Sequence, residues 1–420
     1  MEAVKRLVDK YFADSVGELK IGGIAVSELV AQYGTPLYVY DSSIIKKQLS
    51  LLRETLPPKF AISYSIKANP NPVVLKFFIT KGCGLEIASV GEFETAIQAG
   101  CSPGKIIFAG PGKREPELKT VLQQNIGEIH VESMLEIDRI SQIASNLGRP
   151  ANIAVRVNPS SEAQGGAMRM GGKPAPFGID EEILDTVIDR IMGDSNLQLR
   201  GIHLFIGTQI LDYNVLLSQY RKGIEIAKKV AKIQQPLHTL DFGGGLGIPY
   251  FAKDKSIEMD KFQRGLLELM TEVKSEPLLA PTQFLVEPGR FLVGESGIYI
   301  ARINDIKVSR GKKFVITDGG LHHHLAASGN FGQVIKRNYP VALINKLDRK
   351  STETLDVVGP LCTPLDVLAR SISLPEAEVG DLVGVFQSGA YARSASPLDF
   401  LSHPRPPEVW IEDGKAKLTS

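Results

Sequence analysis

The feature that most constrains the fold is a regular alternation of short apolar runs with amphipathic stretches. Eight runs have the length and composition of buried strands. They lie near residues 60–64, 84–88, 105–109, 128–132, 152–157, 199–205, 238–242 and 283–287. The stretches between them, such as Val90 to Ala99 and Met259 to Val273, have the spacing of helices that bury one face. Alternating strands and helices favour a parallel sheet with right-handed crossovers. Eight strands in about 230 residues favour a closed (β/α)₈ TIM barrel, with an open doubly wound sheet as the alternative.

From about residue 290 the pattern changes. Short β-like runs appear with little helical spacing between them, at 297–306, 313–317, 354–358, 381–386 and 407–411. Such runs predict a mostly antiparallel β domain, a sandwich or a β-barrel-like structure. We therefore expect a barrel over residues 36–288 and a β domain built from residues 1–35 and 289–420.

Composition excludes several classes of protein. A chain of 420 residues with 43% apolar and 23% charged residues is typical of a globular protein with more than one core. A net charge of +1 gives no reason to expect nucleic acid or an anionic membrane as partner. No apolar run approaches the roughly 20 residues of a membrane span. Charged residues are mixed into the apolar positions of the amino terminus, so we do not expect it to be a secretory signal. Three dispersed cysteines, Cys83, Cys101 and Cys362, favour the reducing cytoplasm.

Polar residues follow the ends of five of the predicted strands. Barrel enzymes carry their chemistry at the carboxyl ends of the strands, so these side chains are candidates for one site. They are Lys67, Glu86 with Ser89, His203, the segment 241–247, and Glu287 with Arg290. A lysine at the exit of a buried strand loses its proton readily and can form a Schiff base with a carbonyl. For each residue alone, a surface lysine or a satisfied core histidine is the ordinary alternative.

Three consecutive glycines, Gly243, Gly244 and Gly245, follow the seventh predicted strand. Residues without Cβ let backbone N–H groups approach a phosphate, and loops after the seventh and eighth strands are the usual phosphate site of a barrel. A tight turn that needs positive φ is the alternative. Arg290 has the chemistry to bind the same phosphate or a substrate carboxylate. The spacing does not match the dinucleotide-binding motif.

A Schiff-base lysine, a phosphate cradle, a histidine and a buried carboxylate together indicate pyridoxal 5′-phosphate (PLP). Glu287 opposite the pyridine nitrogen would keep that nitrogen protonated, and the pyridinium would accept electrons from the substrate. His203 would then stack on the face of the ring.

With these residues assembled, the chain resembles the fold-type III PLP-dependent decarboxylases, which include the diaminopimelate, ornithine and arginine enzymes. The similarity covers nearly the whole chain and lies in the motifs YSIKANP, HLFIGTQ, DFGGGLG, EPGR, GPLCTPLD and SGAY. It implies that Lys67 forms the Schiff base, that His203 stacks on the ring and that Glu287 contacts the pyridine nitrogen. It also implies phosphate contacts from Thr208, Gly243, Gly244, Gly245 and Tyr391. From their positions at the strand ends we expect Glu86 and Arg290 to contact the cofactor as well.

The resemblance also implies a head-to-tail homodimer with shared active sites. Cys362 and Asp366 would come from the partner subunit, and Cys362 would protonate the carbanion left by decarboxylation. Without the GPLC motif, a small residue that fills the core would be the ordinary reading of this cysteine.

Two departures bear on the substrate. In diaminopimelate decarboxylases a glutamate follows the catalytic cysteine and reads the distal ammonium group, whereas this chain has Thr363 and then Pro364. The segment used by those enzymes for the distal carboxylate is replaced by 318–327, which contains three consecutive histidines. We therefore expect substrate contacts from Arg290, His323, His324, Thr363 and Asp366.

The same departures resemble a subgroup that includes the butirosin-pathway decarboxylase, which acts on a glutamyl group tethered to an acyl carrier protein, and exosortase-associated relatives. A thioester-linked side chain has no free distal carboxylate. This is consistent with the loss of the residues that bind the charged distal groups of diaminopimelate. The substrate is thus an amino acid, free or bound to a carrier protein. Diaminopimelate decarboxylase of lysine biosynthesis stays an alternative.

Two further features concern the histidines and one loop. If His322, His323 and His324 lie on an extended segment, their side chains alternate faces and cannot all bind one metal ion, so we expect no metal. The run 162–167 is interpreted either as a mobile loop over the barrel mouth or as an exposed insertion.

Two other functions were weighed. Amino-acid racemases of the related barrel fold place an arginine at the pyridine nitrogen and use a tyrosine as the second base, so Glu287 and Cys362 favour decarboxylation. A PLP-binding regulator or inactive relative is the non-enzyme alternative. The β domain and the retention of both Lys67 and Cys362 argue against it.

Overall fold

In a computed structural model, the described residues are 2–160, 168–169, 174–205, 207–233, 236–331, 333 and 335–419. They form two compact units. The barrel unit comprises Leu51–Ile248 and Ser256–Gly289, and the β unit comprises Met1–Ser50, Pro249–Lys255 and Arg290–Ser420. The run 162–167 lies outside the described residues.

The barrel unit is a closed ring of eight parallel strands. In chain order, the first to eighth barrel strands are Phe60–Ser65, Gly84–Ile87, Ile106–Phe108, Glu128–Val131, Ala151–Asn158, Leu197–His203, Thr239–Asp241 and Gln283–Val286. Each pairs with the next, and the eighth pairs with the first, which closes the ring. Ile179–Asp180 adds a short parallel pairing to the fifth strand. The predicted (β/α)₈ barrel is confirmed.

Helices alternate with these strands. They are Pro72–Thr80, Val90–Gln98, Glu115–Gln123, Met134–Leu147, Leu184–Met192, Tyr213–Ile233 and Met259–Lys274. Single helical turns lie at Ile66–Ala68, Pro103–Lys105, Glu181–Ile183 and Pro277–Leu279, and Gly207–Thr208 pairs with Met168–Arg169.

Side-chain caps fix where some of these helices begin. Ser89 Oγ accepts from the backbone N–H of Glu92, and Ser133 Oγ accepts from that of Glu136, both at 3.2 Å. Each cap satisfies a helix donor that has no partner within the helix. Because each capping serine lies only two residues beyond the end of a barrel strand, the helix starts lie close to the carboxyl ends of the strands.

Aromatic packing attaches the longest helix to the barrel. Tyr220 stacks on Phe242 with ring centroids 4.2 Å apart, and Phe242 packs on Phe284 at 5.9 Å. Burying a side chain of this size contributes about 1.5–3 kcal/mol. A Cβ at Gly223 would come within 2.9 Å of the Phe242 ring, so glycine permits this close approach.

The β unit is built on a nine-stranded, mostly antiparallel sheet. Its strands are Leu37–Asp41, Gly297–Ser309, Lys312–Thr317, Val341–Leu343, Glu353–Val358, Val367–Leu374, Leu382–Val385, Glu408–Glu412 and Lys415–Leu418. The hairpin of Lys20–Ile21 and Ile24–Ala25 and the helices Glu2–Tyr11, Val26–Tyr33, Ser42–Thr55 and Arg290–Val293 precede or interrupt it. Single turns lie at Gly294–Ser296, Arg393–Ala395 and Phe400–Ser402. The predicted β domain is confirmed.

One strand lies outside the unit in which the predicted domain boundary placed its residues. The predicted barrel begins at residue 36. In the structure, Leu37–Asp41 pairs antiparallel with Gly297–Ile300 and parallel with Glu408–Ile411 in the β unit. All five of its residues are buried. A strand buried on both faces has the same apolar pattern in either sheet, so the sequence did not distinguish them.

Among the described residues, no helix is both long and apolar enough to span a membrane.

Candidate active site

Lys67 and Glu86 form an ion pair at the carboxyl ends of the first two barrel strands. The first strand ends at Ser65, and the turn Ile66–Ala68 carries Lys67, whose Nζ lies 2.9 Å from both oxygens of Glu86. The Glu86 side chain is 1% exposed, whereas that of Lys67 is 43% exposed. Ser65 Oγ donates to Glu86 at 2.5 Å and fixes the carboxylate from the other side. The amine is thus held at the barrel mouth by a buried anion.

A buried carboxylate lies between two histidines. Glu287 follows the eighth strand, His203 ends the sixth, and His130 lies in the fourth. Glu287 Oε2 is 3.5 Å from His203 Nε2, and Glu287 Oε1 is 3.9 Å from His130 Nδ1. The two imidazole rings lie 4.4 Å apart. We call His130, His203, Glu287 and Glu128 the acid-paired cluster.

The outer side of this cluster is also hydrogen-bonded. Glu128 accepts from Thr239 Oγ1 at 2.8 Å through one oxygen, and its other oxygen lies 3.1 Å from His130 Nε2. Asp241, at the end of the seventh strand, accepts from the N–H of Gly243 at 2.7 Å. His130 and Glu128 were not among the predicted site residues. The available signal was their spacing of two, which places both side chains on one face of a strand.

Burial and the neighbouring charges set the protonation of this cluster. Burial alone would raise the pKa of Glu287, but His203, and then His130 and Lys67, outweigh it and lower that pKa. Burial lowers the pKa of His203 to about 4, against the attraction of Glu287. Burial, and then the charge of Glu287, raise the pKa of Asp241 well above its usual range. At neutral pH Glu287 is therefore ionised and His203 is neutral, and the raised pKa of Asp241 favours its protonated form.

Several buried atoms of the cluster and of Asp241 have no hydrogen-bond partner among the described residues. They are Glu287 Oε1, both ring nitrogens of His203, His130 Nδ1 and Asp241 Oδ2. Unsatisfied buried polar groups are costly and often mark a ligand site. A buried anion with an open oxygen can accept from a cationic N–H group. His130, His203 and Glu287 also bring three ligand atoms within 4.8 Å of one another, so a metal ion is the alternative occupant.

The glycine loop positions Glu287. Gly243 has a φ of 65°, and a Cβ there would lie 2.8 Å from the carbonyl oxygen of Leu204. A Cβ at Gly244 would lie 2.7 Å from the backbone carbonyl oxygen of Glu287. The carbonyl of Gly243 accepts from the N–H of Glu287 at 2.8 Å. The next helix begins only at Met259, so this loop does not lead directly into a helix amino terminus. Thr208 lies in the short strand Gly207–Thr208 and is half-buried.

Arg290 and Tyr391 lie together in the β unit. Arg290 donates to the Tyr250 hydroxyl at 2.8 Å, and its guanidinium lies 4.6 Å from the centre of the Tyr391 ring. Tyr391 adopts a φ of 53°, a left-handed conformation that is uncommon outside glycine. Arg290 Nε is buried without a hydrogen-bond partner among the described residues. This group has a donor available for an anion.

The three consecutive histidines lie in turns, not on an extended segment as we had assumed. His323 accepts from Tyr299 OH at 3.2 Å and donates to the carbonyl of Pro404 at 3.0 Å. His324 donates to Ser388 Oγ at 2.9 Å and accepts from the N–H of Ala327 at 3.2 Å. Both rings are buried, and each has a partner on both nitrogens. The two histidines predicted to contact substrate are thus occupied within the fold.

Asp366 links two loops near the candidate acid. Its carboxylate accepts from the N–H of Leu321 at 2.6 Å and from the N–H of Leu361 at 2.8 Å. Cys362 follows directly and is exposed, whereas Cys83 and Cys101 are buried. Thr363 is half-buried in the same loop, and its carbonyl accepts from the N–H of Asp366 at 3.2 Å. Asp366, Cys362 and Thr363 therefore form one local arrangement.

With this geometry described, comparisons with known proteins give a consistent result. A family model described as "Pyridoxal-dependent decarboxylase, pyridoxal binding domain" matches residues 42–294. An L-glutamyl-(BtrI acyl-carrier protein) decarboxylase of Niallia circulans is 35% identical over 94% of this chain and 92% of the relative. A diaminopimelate decarboxylase of Aquifex aeolicus is 34% identical over 100% of this chain and 96% of the relative.

Solved structures agree in fold. The crystal structure of diaminopimelate decarboxylase from Helicobacter pylori complexed with L-lysine has a TM-score of 0.84 at 30% identity. It covers 94% of this chain and 95% of that one. The crystal structure of AQ1208 from Aquifex aeolicus has a TM-score of 0.86 at 31% identity and covers 99% and 96%.

Proposed function

The chain belongs to the pyridoxal-dependent decarboxylase family, and on that premise we propose that it decarboxylates an amino acid whose side chain is tethered to a carrier protein. The family makes it a PLP-dependent carboxy-lyase. The observation that carries the finer proposal is Thr363, an uncharged residue beside the candidate acid Cys362. The resemblance to diaminopimelate decarboxylases implies a glutamate there for a distal ammonium group. A side chain in thioester linkage presents no such charge.

The acid-paired cluster fits the cofactor. Its buried Glu287 is ionised and has an oxygen without a partner among the described residues, which suits a protonated ring nitrogen. Bound PLP supplies an electron sink for the pair of electrons left on Cα when carbon dioxide departs. A pyridinium favours that step, so Glu287 would hold a proton at the ring nitrogen. His203, neutral and adjacent, would pack against the ring.

Lys67 would hold the cofactor through its amine. Its ion pair with Glu86 keeps the amine at the mouth of the barrel, where a carbonyl can reach it. Ser65 donates a hydrogen bond to Glu86, and the carboxylate of Glu86 balances the positive charge of Lys67. We propose Thr208, Gly243, Gly244, Gly245 and Tyr391 as contacts to the phosphate, as the resemblance implies. The open Nε of Arg290 supports an anion contact, to the phosphate or to the substrate carboxylate.

Cys362 is proposed as the acid that returns a proton to Cα. It is the exposed cysteine among the three, which leaves its thiol accessible to a ligand. Its neighbour Asp366 fixes the loop through two backbone N–H groups. In the proposed homodimer, Cys362 and Asp366 of one chain serve the active site of the other.

Diaminopimelate decarboxylation is the second candidate function. It is supported by the relative from Aquifex aeolicus, which matches the full length of this chain. Thr363 argues against it for the reason given above.

The test is carbon dioxide release by the purified, PLP-loaded protein. The substrates are meso-diaminopimelate, ornithine, lysine, arginine, free glutamate, and glutamate linked through its side-chain carboxyl to a carrier protein. We expect turnover of the tethered substrate alone. Turnover of meso-diaminopimelate at a higher kcat/KM would overturn the tethered-substrate proposal and favour the second candidate.

Two controls accompany this assay. Lys67→Ala should lose both the visible absorbance of the bound cofactor and turnover, because it removes the amine that is proposed to hold the cofactor covalently. An active, coloured Lys67→Ala protein would refute the role of Lys67. Metal analysis of the active protein tests whether a metal ion occupies the acid-paired cluster in place of the cofactor ring. A stoichiometric metal ion there would contradict the proposed role of Glu287.

A further inference from the structure

His322 differs from the two histidines that follow it. Its side chain is fully buried, yet neither ring nitrogen has a hydrogen-bond partner among the described residues. The centroid of its ring lies 3.7 Å from that of His323 and 4.8 Å from that of His403. A buried imidazole with two unsatisfied nitrogens is costly, which indicates that something outside the described residues uses them. We call His322, His323, His324 and His403 the imidazole cluster.

The position of His322 is tied to that of Cys362. Asp366 holds the N–H of Leu321, which precedes His322, and the N–H of Leu361, which precedes Cys362. The two loops are so close that a Cβ on Gly359 would lie 2.5 Å from Cα of Gly320. The carboxylate of Asp366 thus holds together the two loops that carry Cys362 and His322.

The segment that carries His403 is strained and partly exposed. His403 is half-buried and follows Leu401 and Ser402, which adopt left-handed φ values of 56° and 59°. Non-glycine residues in that region are held there by their surroundings. Phe400 and Leu401 expose 46% and 50% of their surface. His403, whose ring packs beside that of His322, therefore lies in a strained loop outside the described strands.

The chemistry of His322 restricts its ligand. Burial, and then His403, lower its pKa to about 4, so the ring is neutral at physiological pH. A neutral imidazole offers one N–H donor and one acceptor nitrogen. It cannot neutralise a carboxylate or an ammonium ion. A secondary amide has a matching carbonyl acceptor and N–H donor.

We propose that His322 is a specificity-determining residue that binds a neutral amide group of the substrate, with His323 and His403 as the walls of the subsite. This proposal rests on the proposed function, because the prosthetic arm of an acyl carrier protein contains amide groups. A side-chain carboxamide of a free amino acid has the same chemistry and is the other source. The expected contact to substrate thus moves from His323 and His324 to His322.

The experiment compares two substrates with the PLP-loaded full-length protein. One is the side-chain thioester of glutamate with pantetheine, and the other is the thioester with an alkanethiol of equal length that lacks amides. His322→Phe keeps the ring and its stacking but removes both polar nitrogens. We expect it to raise KM for the pantetheine thioester about tenfold or more, with a smaller change in kcat and an unchanged KM for the alkyl thioester. His322→Gln, which restores a donor and an acceptor, should recover part of the loss.

The matched control is His238→Phe, the same substitution outside both clusters, which should leave both KM values unchanged. Equal effects of His322→Phe on both thioesters would assign His322 a structural role and overturn the proposal, as would no effect on either.

Binding of free pantetheine, measured calorimetrically, and turnover of glutamine separate this inference from the proposed function. If neither thioester is turned over, the tethered-substrate function fails. The inference then stands only if His322→Phe weakens pantetheine binding or raises KM for glutamine, and it falls if both are unchanged.

Discussion

Six of the seven histidines of the chain lie in two clusters, one in each unit. In the acid-paired cluster, His130 and His203 each have a carboxylate oxygen of Glu287 within 4 Å. In the imidazole cluster, no described carboxylate lies that close to a histidine nitrogen. The nearby Asp366 spends both oxygens on backbone N–H groups. The same side chain therefore lies beside a buried anion in one unit and supplies neutral hydrogen bonds in the other.

The difference shows how a carboxylate neighbour decides what a buried histidine can do. Beside Glu287, an imidazole has a neighbouring anion that favours its protonated form and so opposes the effect of burial. Burial dominates in both clusters: it lowers the pKa of His203 to about 4 against the attraction of Glu287, and it lowers the pKa of His323 and of His324 to about 3. Those rings stay neutral and serve as directional donors and acceptors. Four predictions test this contrast.

The largest effect is expected for Glu287→Gln. An amide cannot stabilise a proton on the cofactor nitrogen, so we expect kcat to fall about 10²- to 10⁴-fold, the range typical of a lost proton-transfer group. Thermal unfolding should change little. The matched variant Glu128→Gln touches His130 on its outer side and should cost less than about tenfold in kcat. Equal losses in the two variants would remove the distinction between Glu287 and its surroundings.

Asp366→Asn should act on stability. One backbone N–H would face an amide donor in place of a carboxylate oxygen, at a cost of about 1–3 kcal/mol. We expect Tm to fall by several degrees, as measured by differential scanning calorimetry, whereas Asp348→Asn at an exposed site should leave Tm unchanged. A normal Tm for Asp366→Asn would mean that the carboxylate does not hold the two loops.

The imidazole cluster predicts a loss of stability in mild acid. The pKa values of His322, His323 and His324 fall to about 4, 3 and 3, from an ordinary value of 6.5. Below pH 6.5 the unfolded chain takes up protons that the folded chain does not, so stability is complete above that pH and is lost as the pH falls toward 4. Each histidine contributes at most about 1.4 kcal/mol per pH unit. His203, with a pKa of about 4, adds to the same range.

His322→Phe should reduce that slope by one histidine's contribution, measured as unfolding free energy between pH 6.5 and 4.5. Glu287 loses its contribution in the same direction, but at lower pH than the histidines. Its lowered pKa gives stability that is present above the ordinary glutamate pKa and is lost only as the pH falls through the lower folded value. An unchanged slope in His322→Phe would contradict a neutral, buried ring.

The smallest effect is expected for Thr363→Glu, which places a carboxylate in the loop held by Asp366. We expect a several-fold rise in KM for the tethered substrate and low but measurable carbon dioxide release from meso-diaminopimelate. Thr363→Gln, of similar shape without charge, is the control. If both variants behave alike, charge at this position does not select the substrate.

Much of the barrel could be predicted because its signals are local. The predicted run 60–64 is the strand Phe60–Ser65, and 128–132 is Glu128–Val131. The polar residues at the strand ends followed from the same pattern, since carboxyl ends of parallel strands share one rim. Lys67 with Glu86, and His203 with Glu287, lie in contact as that reasoning implies.

What the sequence could not supply depends on contacts between distant segments. His130 lies within a strand, where a histidine has the same pattern whether it meets Glu287 or an ordinary core partner. His322 could not be distinguished from His323 and His324, because the difference lies in Tyr299, Pro404 and Ser388, which occupy the other two rings. The loop 162–167 stays a prediction.

The strand Leu37–Asp41 carries a consequence for synthesis of the chain. It pairs with Gly297–Ile300 and with Glu408–Ile411, so neither of its neighbours exists when it leaves the ribosome. At about 5–20 residues per second, it waits roughly 20–75 s for the second partner. All eight barrel strands are translated within that interval. The nascent chain must therefore keep this strand, all of whose residues are buried in the folded protein, from pairing wrongly until residues 408–411 emerge. A chaperone that shields residues 37–41 would act in this window.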